Sequence, residues 1–194
     1  MSLADRPGSW PVLSNTDLHR DDWVVALRRD RIHPPGEPDH AFDRLVVEHP
    51  GAAIVLALDA EENACLLRQY RHASAGTFVE LPAGLCDVAG EDPVETARRE
   101  LREEAGLDAA SWRHLLTTVP SAGITSERQH LYLAREVTPA EDVDFTPAHE
   151  EARMEVHWAP LAELYESVLA GRVSEGPLAV AVLAYVALRD RGEL

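Results

Sequence analysis

GLCDVAGEDPVETARRELREEAGL, residues 84–107, is the stretch from which the rest of the chain is best read. Its second half carries helix signals at both ends. Asp92 is an N-cap residue, Pro93 suits the first helical position, and Glu95 stands three residues after the cap, where a capping box places its acid. Gly106 stops the run at the C-terminal side. Between them Val94, Ala97, Leu101 and Ala105 recur at helical spacing and make one apolar stripe that must face a core. Glu100, Glu103 and Glu104 then share a different face, because residues three and four apart are neighbours on a helix. Like charges at that spacing repel, so they need solvent, arginines or cations to hold them, and Arg99 is placed to clamp one carboxylate. Oxygen-rich carboxylate sites suit hard cations such as Mg2+, which commonly bridge one or two carboxylates to substrate phosphates. Taken alone, the helical spacing fits a solvated acidic face equally well.

Working outward, Asp22–His33 reads as a strand, and a cluster of Pro34, Pro35, Gly36 and Pro38 breaks the chain after it. Further strands are expected at Phe42–Glu48, Ala52–Leu58, Ala64–Tyr70, Thr77–Leu81, Trp112–Val119, His130–Arg135 and Met154–Trp158. Helices are expected at Leu161–Ala170 and Leu178–Asp190, the last of them apolar nearly all round and so buried between layers or in a subunit interface. Residues 1–18, with Pro7, Gly8 and Pro11, read as a poorly ordered leader, followed by a β segment at 19–49 and a main domain at 50–194. Irregular alternation of strands and helices argues for a mixed α/β sheet between helical layers. Neither common phosphate loop, G-x-G-x-x-G nor G-x-x-x-x-G-K-[ST], is present.

The chain has 194 residues, 34 acidic and 18 basic, for a formal net charge of -16. That charge opposes unspecific attraction to a phosphate backbone, so nucleic acid is not expected as a partner. A small polyphosphate remains compatible, because divalent cations reverse the local field. Cys65 and Cys86 are the only cysteines, too few for a disulfide framework, and a reducing cytoplasm is the simple reading. Met1–Trp10 shows no signal-peptide pattern, and the apolar run Pro177–Leu188 is too short to cross a bilayer.

The preceding loop changes the weight of the acidic helix. Residues 84–107 resemble the Nudix box, G-x5-E-x7-R-E-U-x-E-E-x-G-U, with six residues rather than five between Gly84 and Glu91. The added residue lies ahead of the helix and leaves the spacing of its carboxylates untouched. The resemblance implies a Nudix-type α/β/α sandwich with a mixed sheet and a small N-terminal β subdomain. It implies metal ligation by Glu100, Glu103, Glu104 and the carbonyl of Ala83, with Arg99 orienting Glu103 and Glu91 supporting the loop. It further implies attack of water on a nucleoside diphosphate linked to another group, with Mg2+, or Mn2+ in its place, as cofactor.

Leu67-Arg68-Gln69-Tyr70-Arg71 and Glu80-Leu81-Pro82-Ala83-Gly84 are similar to paired motifs of the ADP-ribose pyrophosphatase branch. That likeness implies hydrolysis of ADP-ribose to AMP and ribose 5-phosphate by a homodimer exchanging an N-terminal segment. Substrate contacts are then expected from Trp23, Arg44, Arg71, Glu80, Gly123 and Glu127. The general base is expected at Glu150 or Glu151, in a stretch that resembles the branch's acidic loop. One departure is that Pro120 lies two positions before Ala122, where the branch usually carries proline. Two other readings stand beside this one: hydrolysis of a different nucleoside diphosphate sugar or dinucleotide, and a non-catalytic nucleotide sensor.

Overall fold

Strand β4 (Ala52–Ala57) is where the architecture is decided. Side chains alternate across a strand, so an apolar run without polar gaps requires cover on both faces. The structure, a computed structural model, describes every residue except 1, 2, 142, 144, 147, 148 and 150, and only the backbone of Glu151. In it Ile54, Leu56 and Leu58 point into one cluster and Ala53, Val55 and Ala57 into another. Around β4, in chain order, stand β5 (Asn63–Arg71), β6 (Gly76–Glu80), β7 (Ala83–Leu85), α1 (Pro93–Ala105), β8 (Leu107–Thr118), β9 (Gln129–Pro139), β10 (Glu155–Pro160), α2 (Leu161–Leu169) and α3 (Gly176–Asp190), where strand labels count from the three strands of the N-terminal unit, β1 (Val12–His19), β2 (Ala26–Ile32) and β3 (Phe42–Glu48).

The chain divides into two units, one of residues 1–50 and 121–127, the other of residues 51–120 and 128–194. In the second, β7-β4-β9-β8 form a mixed sheet, with β4 and β9 parallel and the other pairs antiparallel. A second sheet, β10-β5-β6, is antiparallel throughout. Leu161 and Leu164 of α2, with Leu178, Val182 and Tyr185 of α3, close one side; Ala97 and Leu101 of α1 close the other. The α/β/α sandwich expected from the sequence is therefore present. The apolar character of α3 is used by burying Leu178, Ala181, Val182, Tyr185 and Val186, while Val180 and Leu183 stay exposed.

Helix α1 begins and ends as its sequence dictates. Asp92 accepts a hydrogen bond from the Val94 N–H at 3.1 Å, and Gly106 ends the helix at φ 64°, the left-handed conformation that glycine adopts without steric cost. Glu95 does not complete the capping box; it pairs with Arg98 at 3.4 Å.

In the first unit β1, β2 and β3 form an antiparallel sheet. The leader expected through residue 18 thus yields, from Val12, a strand hydrogen-bonded to β2, although every residue of β1 is exposed. Its order comes from main-chain pairing rather than burial, which hydropathy does not reveal. The strand expected from Asp22 starts instead at Ala26. Loop 121–127 is tied to β3: the Val47 N–H donates to the Ile124 carbonyl at 2.7 Å, and the Ser126 N–H to the Val47 carbonyl at 3.1 Å.

Leu101 is fully buried and anchors α1 on the sheet. Leu101→Ala should lower unfolding stability by about 2–5 kcal/mol, read from the urea midpoint.

Candidate active site

The box helix lies against β7, and a missing side chain sets how closely. A Cβ added at Gly84 would sit 2.0 Å from the Cδ of Glu100, so only glycine leaves room for that carboxylate against the strand. Next to it the Ala83 N–H donates to Glu104 Oε2 at 2.8 Å. One backbone turn thereby seats two of the three box glutamates.

Arg99 supplies the counter-charge. Its Nη1 donates to Glu100 Oε1 at 2.5 Å and stands 3.5 Å from Glu103 Oε2. The sequence reading aimed Arg99 at Glu103; the structure brings it closest to Glu100. Its Nη2 is buried without a hydrogen-bond partner among the described residues, 3.7 Å from Glu91 and 4.0 Å from Asp87. Burial pushes the Arg99 pKa down, but Glu100, Glu103 and Glu91 outweigh it and leave the guanidinium above its ordinary value. Glu91 is held in turn by the Thr96 hydroxyl at 2.7 Å, which fixes the loop ahead of the helix.

This donor set fits a hard divalent cation: three carboxylates on one helix face, seated by a glycine cradle beside a backbone turn. Among the described residues no three His, Cys, Asp or Glu side chains already form a metal-binding group. The carboxylates are instead engaged by Arg99 and Ala83, and a cation at this face would compete with those partners.

Cys65 borders the site from β5. Burial first, then the charge of Glu104, pushes its thiol up to about 12, so at neutral pH it is a neutral wall rather than a thiolate. Arg71 at the end of β5 makes three contacts with Glu80 of β6: Nε to Oε1 at 2.9 Å, Nε to Oε2 at 3.1 Å and Nη2 to Oε2 at 2.6 Å. These bonds, and secondarily the charges of Glu80, Glu104 and Glu175, raise the Arg71 pKa against the cost of its burial. The sequence reading missed Glu175. It accepts from the Leu178 N–H at 2.7 Å as the N-cap of α3, and an acid just ahead of Gly176-Pro177 was the available signal.

The other expected contacts belong to the first unit. Arg44 stacks over Phe42 at 4.3 Å and, with Gly123, lines a cleft of about 410 Å³ that also includes Asp30, Ala122 and Ser126. Trp23 is 63% exposed. The Glu127 N–H donates to the Thr125 side-chain oxygen at 3.0 Å. Glu150 lies outside the described residues, as does the side chain of Glu151, whose backbone opens a short 3-10 turn ending at Arg153.

A family model described as NUDIX domain matches residues 47–178. The chain belongs to the NUDIX family. Among curated Nudix relatives, an ADP-ribose pyrophosphatase of Mycobacterium tuberculosis is 42% identical over 173 residues, 89% of this chain and 81% of the relative. A CMP-5'-(N-acetyl-N-hydroxy-3-aminopropyl)phosphonate hydrolase of Streptomyces rubellomurinus is 36% identical over 172 residues, 88% of this chain and 79% of that one. A crystal structure described as an ADP compounds hydrolase superposes with a TM-score of 0.75 at 17% identity, covering 98% of this chain and 100% of its own, which supports the fold. The protein is a Nudix hydrolase, and Nudix hydrolases generally use a divalent metal ion.

Gly84→Ala should force Glu100 off β7 while leaving the helix stripe intact. A misplacement of about 1 Å in the geometry of a reacting site can cost on the order of 100-fold. Metal-dependent turnover should fall by that factor with unchanged far-UV circular dichroism.

Proposed function

We propose that this Nudix hydrolase cleaves ADP-ribose to AMP and ribose 5-phosphate with Mg2+ as the cofactor, Mn2+ being able to replace it. The observation that carries the reading is the gathering, in one unit, of the glycine-seated box carboxylates and a guanidinium, Arg71, within the electrostatic reach of Glu104. The ADP-ribose pyrophosphatase relative, aligned over most of both chains, points to the same substrate.

In the reaction a water oxygen bonds to one phosphorus of the diphosphate, its proton passes to a base, and the bridging oxygen leaves with the other phosphate. Glu100, Glu103, Glu104 and the Ala83 carbonyl would hold a divalent cation, which when bound would supply charge neutralisation on the diphosphate and acidify water. Arg99 aligns Glu100 and Glu103. Arg71 meets the diphosphate charge. Glu150 or Glu151 takes the proton. Trp23, Arg44, Gly123 and Glu127 contact the nucleoside and sugar ends.

The protein works as a homodimer in the cytoplasm in this proposal. Fully exposed β1, with Val12, Leu13 and Leu18 bare, supports an N-terminal segment at 19–49 and its flanking strand being used against a second copy. Both cysteines are free, as a reducing compartment allows. Among the described residues no helix is long and apolar enough to cross a membrane. A second reading, hydrolysis of another nucleoside diphosphate sugar or related nucleotide conjugate, is favoured by the phosphonate hydrolase relative.

A panel of nucleoside diphosphate sugars and dinucleotides, assayed with Mg2+ and resolved by product chromatography, tests this. ADP-ribose should give AMP and ribose 5-phosphate, EDTA should abolish the reaction, and Mg2+ should restore it. Glu104→Gln should lower turnover by roughly three orders of magnitude in a folded protein. Absence of cleavage across the whole panel would sink the proposal and favour a nucleotide sensor.

A further inference from the structure

Arg71 and Glu80 do not face each other across the sheet. The β5–β6 register pairs Glu80 with Leu67 and pairs Arg71 with Gly76, four residues further along. At ~3.3 Å per residue their backbones are offset by about 13 Å along the strands. Arg71, Gln69, Leu67 and Cys65 share one face of β5 by the period-2 rule. To reach Glu80 the arginine must therefore lie back along its strand, over the buried Gln69, toward Cys65, where the charge of Glu104 is felt. Left to itself, a side chain at the end of a strand extends into solvent. Glu80 draws it toward the box carboxylates.

The geometry also divides the guanidinium. Its Nε and Nη2 edge is filled by the two Glu80 oxygens, and no hydrogen bond from Nη1 occurs among the described residues. The Arg71 side chain is 49% exposed, whereas that of Glu80 is 8% exposed. A ligand can meet the arginine but has little access to the glutamate behind it. The sequence resemblance implied that Glu80 contacts the substrate directly.

We infer that Glu80 is a positioning residue: it does not touch the substrate, but holds Arg71 folded back along β5 so that the Nη1 edge presents to a diphosphate oxygen. The inference rests on the reading of the box and Arg71 as a diphosphate site. A buried carboxylate set against one edge of an arginine costs nothing in net charge locally and leaves the opposite edge as the recognition surface. Lysine would not serve, having no second edge to be held by.

A double-mutant cycle on the full chain tests this with two probes. One is kcat/KM for ADP-ribose with Mg2+, and the other is the dissociation constant for magnesium pyrophosphate, which needs no nucleoside. Glu80→Gln keeps the volume and removes the charge; Glu80→Asp keeps the charge and shortens the reach; Arg71→Gln removes the guanidinium. Glu80→Gln alone should weaken both readouts roughly tenfold, the low end for a charge-assisted hydrogen bond. Glu80→Asp should fall between wild type and Glu80→Gln, and Glu80→Gln added to Arg71→Gln should have no further effect. An equal loss in both backgrounds would mean that Glu80 contacts the ligand itself. Unchanged kcat/KM and pyrophosphate affinity with a lowered Tm would mean that the pair only stabilises the sheet. If ADP-ribose is not cleaved but the pyrophosphate cycle is non-additive, the substrate reading fails and the positioning role stands.

Discussion

Three carboxylates on adjacent turns of one helix repel each other, and the second unit is arranged around that repulsion. Each like-charged pair at i,i+3 or i,i+4 costs a few tenths of a kcal/mol on an isolated helix, and more where solvent is thinned. Glu100, Glu103 and Glu104 are tolerated because Arg99 lies within 2.5 Å of the first and 3.5 Å of the second, and the Ala83 N–H donates to the third. The cost is further offset along the flanking apolar stripe of the helix, where Ala97 and Leu101 are completely buried. A helix without that apolar stripe would have no reason to hold its charged face against a strand. Gly84 completes the constraint, because any side chain there would occupy the position of the Glu100 carboxylate.

The sandwich follows from the same economy of space. The small residues Ala53, Val55 and Ala57 face α1 and let it approach closely, while the larger Ile54, Leu56 and Leu58 face α2 and α3. Close approach on the α1 side is what places box carboxylates against β7 and the Glu104 charge within reach of Cys65. On the other side, Tyr185 of α3 donates to Glu62 at 2.8 Å, and Arg135 bonds to both, so the layer that carries no chemistry is locked by a polar network.

How much of this was legible depended on distance along the chain. The caps of α1, its apolar stripe, the shared face of its glutamates and the breadth of cover on β4 are all local or periodic, and the sequence displays them. Arg99 was legible as a clamp but not in its choice of Glu100 over Glu103, which turns on rotamers and on the room that Gly84 leaves. The Arg71–Glu80 pair was invisible as a pair, since nine residues of sequence conceal a register offset and a side chain laid back along its strand. Glu175 was missed because its cap is local to α3 while its field acts on β5. Strand β1 was missed because main-chain pairing without burial leaves no hydropathic trace.

To hold the proposed diphosphate, a chain of net charge -16 cannot rely on its overall field, which opposes such a ligand. Attraction has to be assembled locally and at short range. In the second unit the guanidinium of Arg99 is consumed by the box, and that of Arg102 by Asp108 at 2.7 Å. Arg71 is different in having a buried counter-ion, Glu80, while its own side chain stays half exposed. In the proposed function, divalent cations would be the condition for such a site rather than an accessory to it: they would invert the sign of the acidic helix face, while one oriented arginine would add direction that a bound ion alone does not provide. Between contacts of that kind, screening by salt is weak, because the groups lie well inside a Debye length of one another. The long-range repulsion is what salt removes. Capture of the proposed diphosphate is accordingly governed by opposite electrostatics at two distances, repulsion over the surface and attraction at the box.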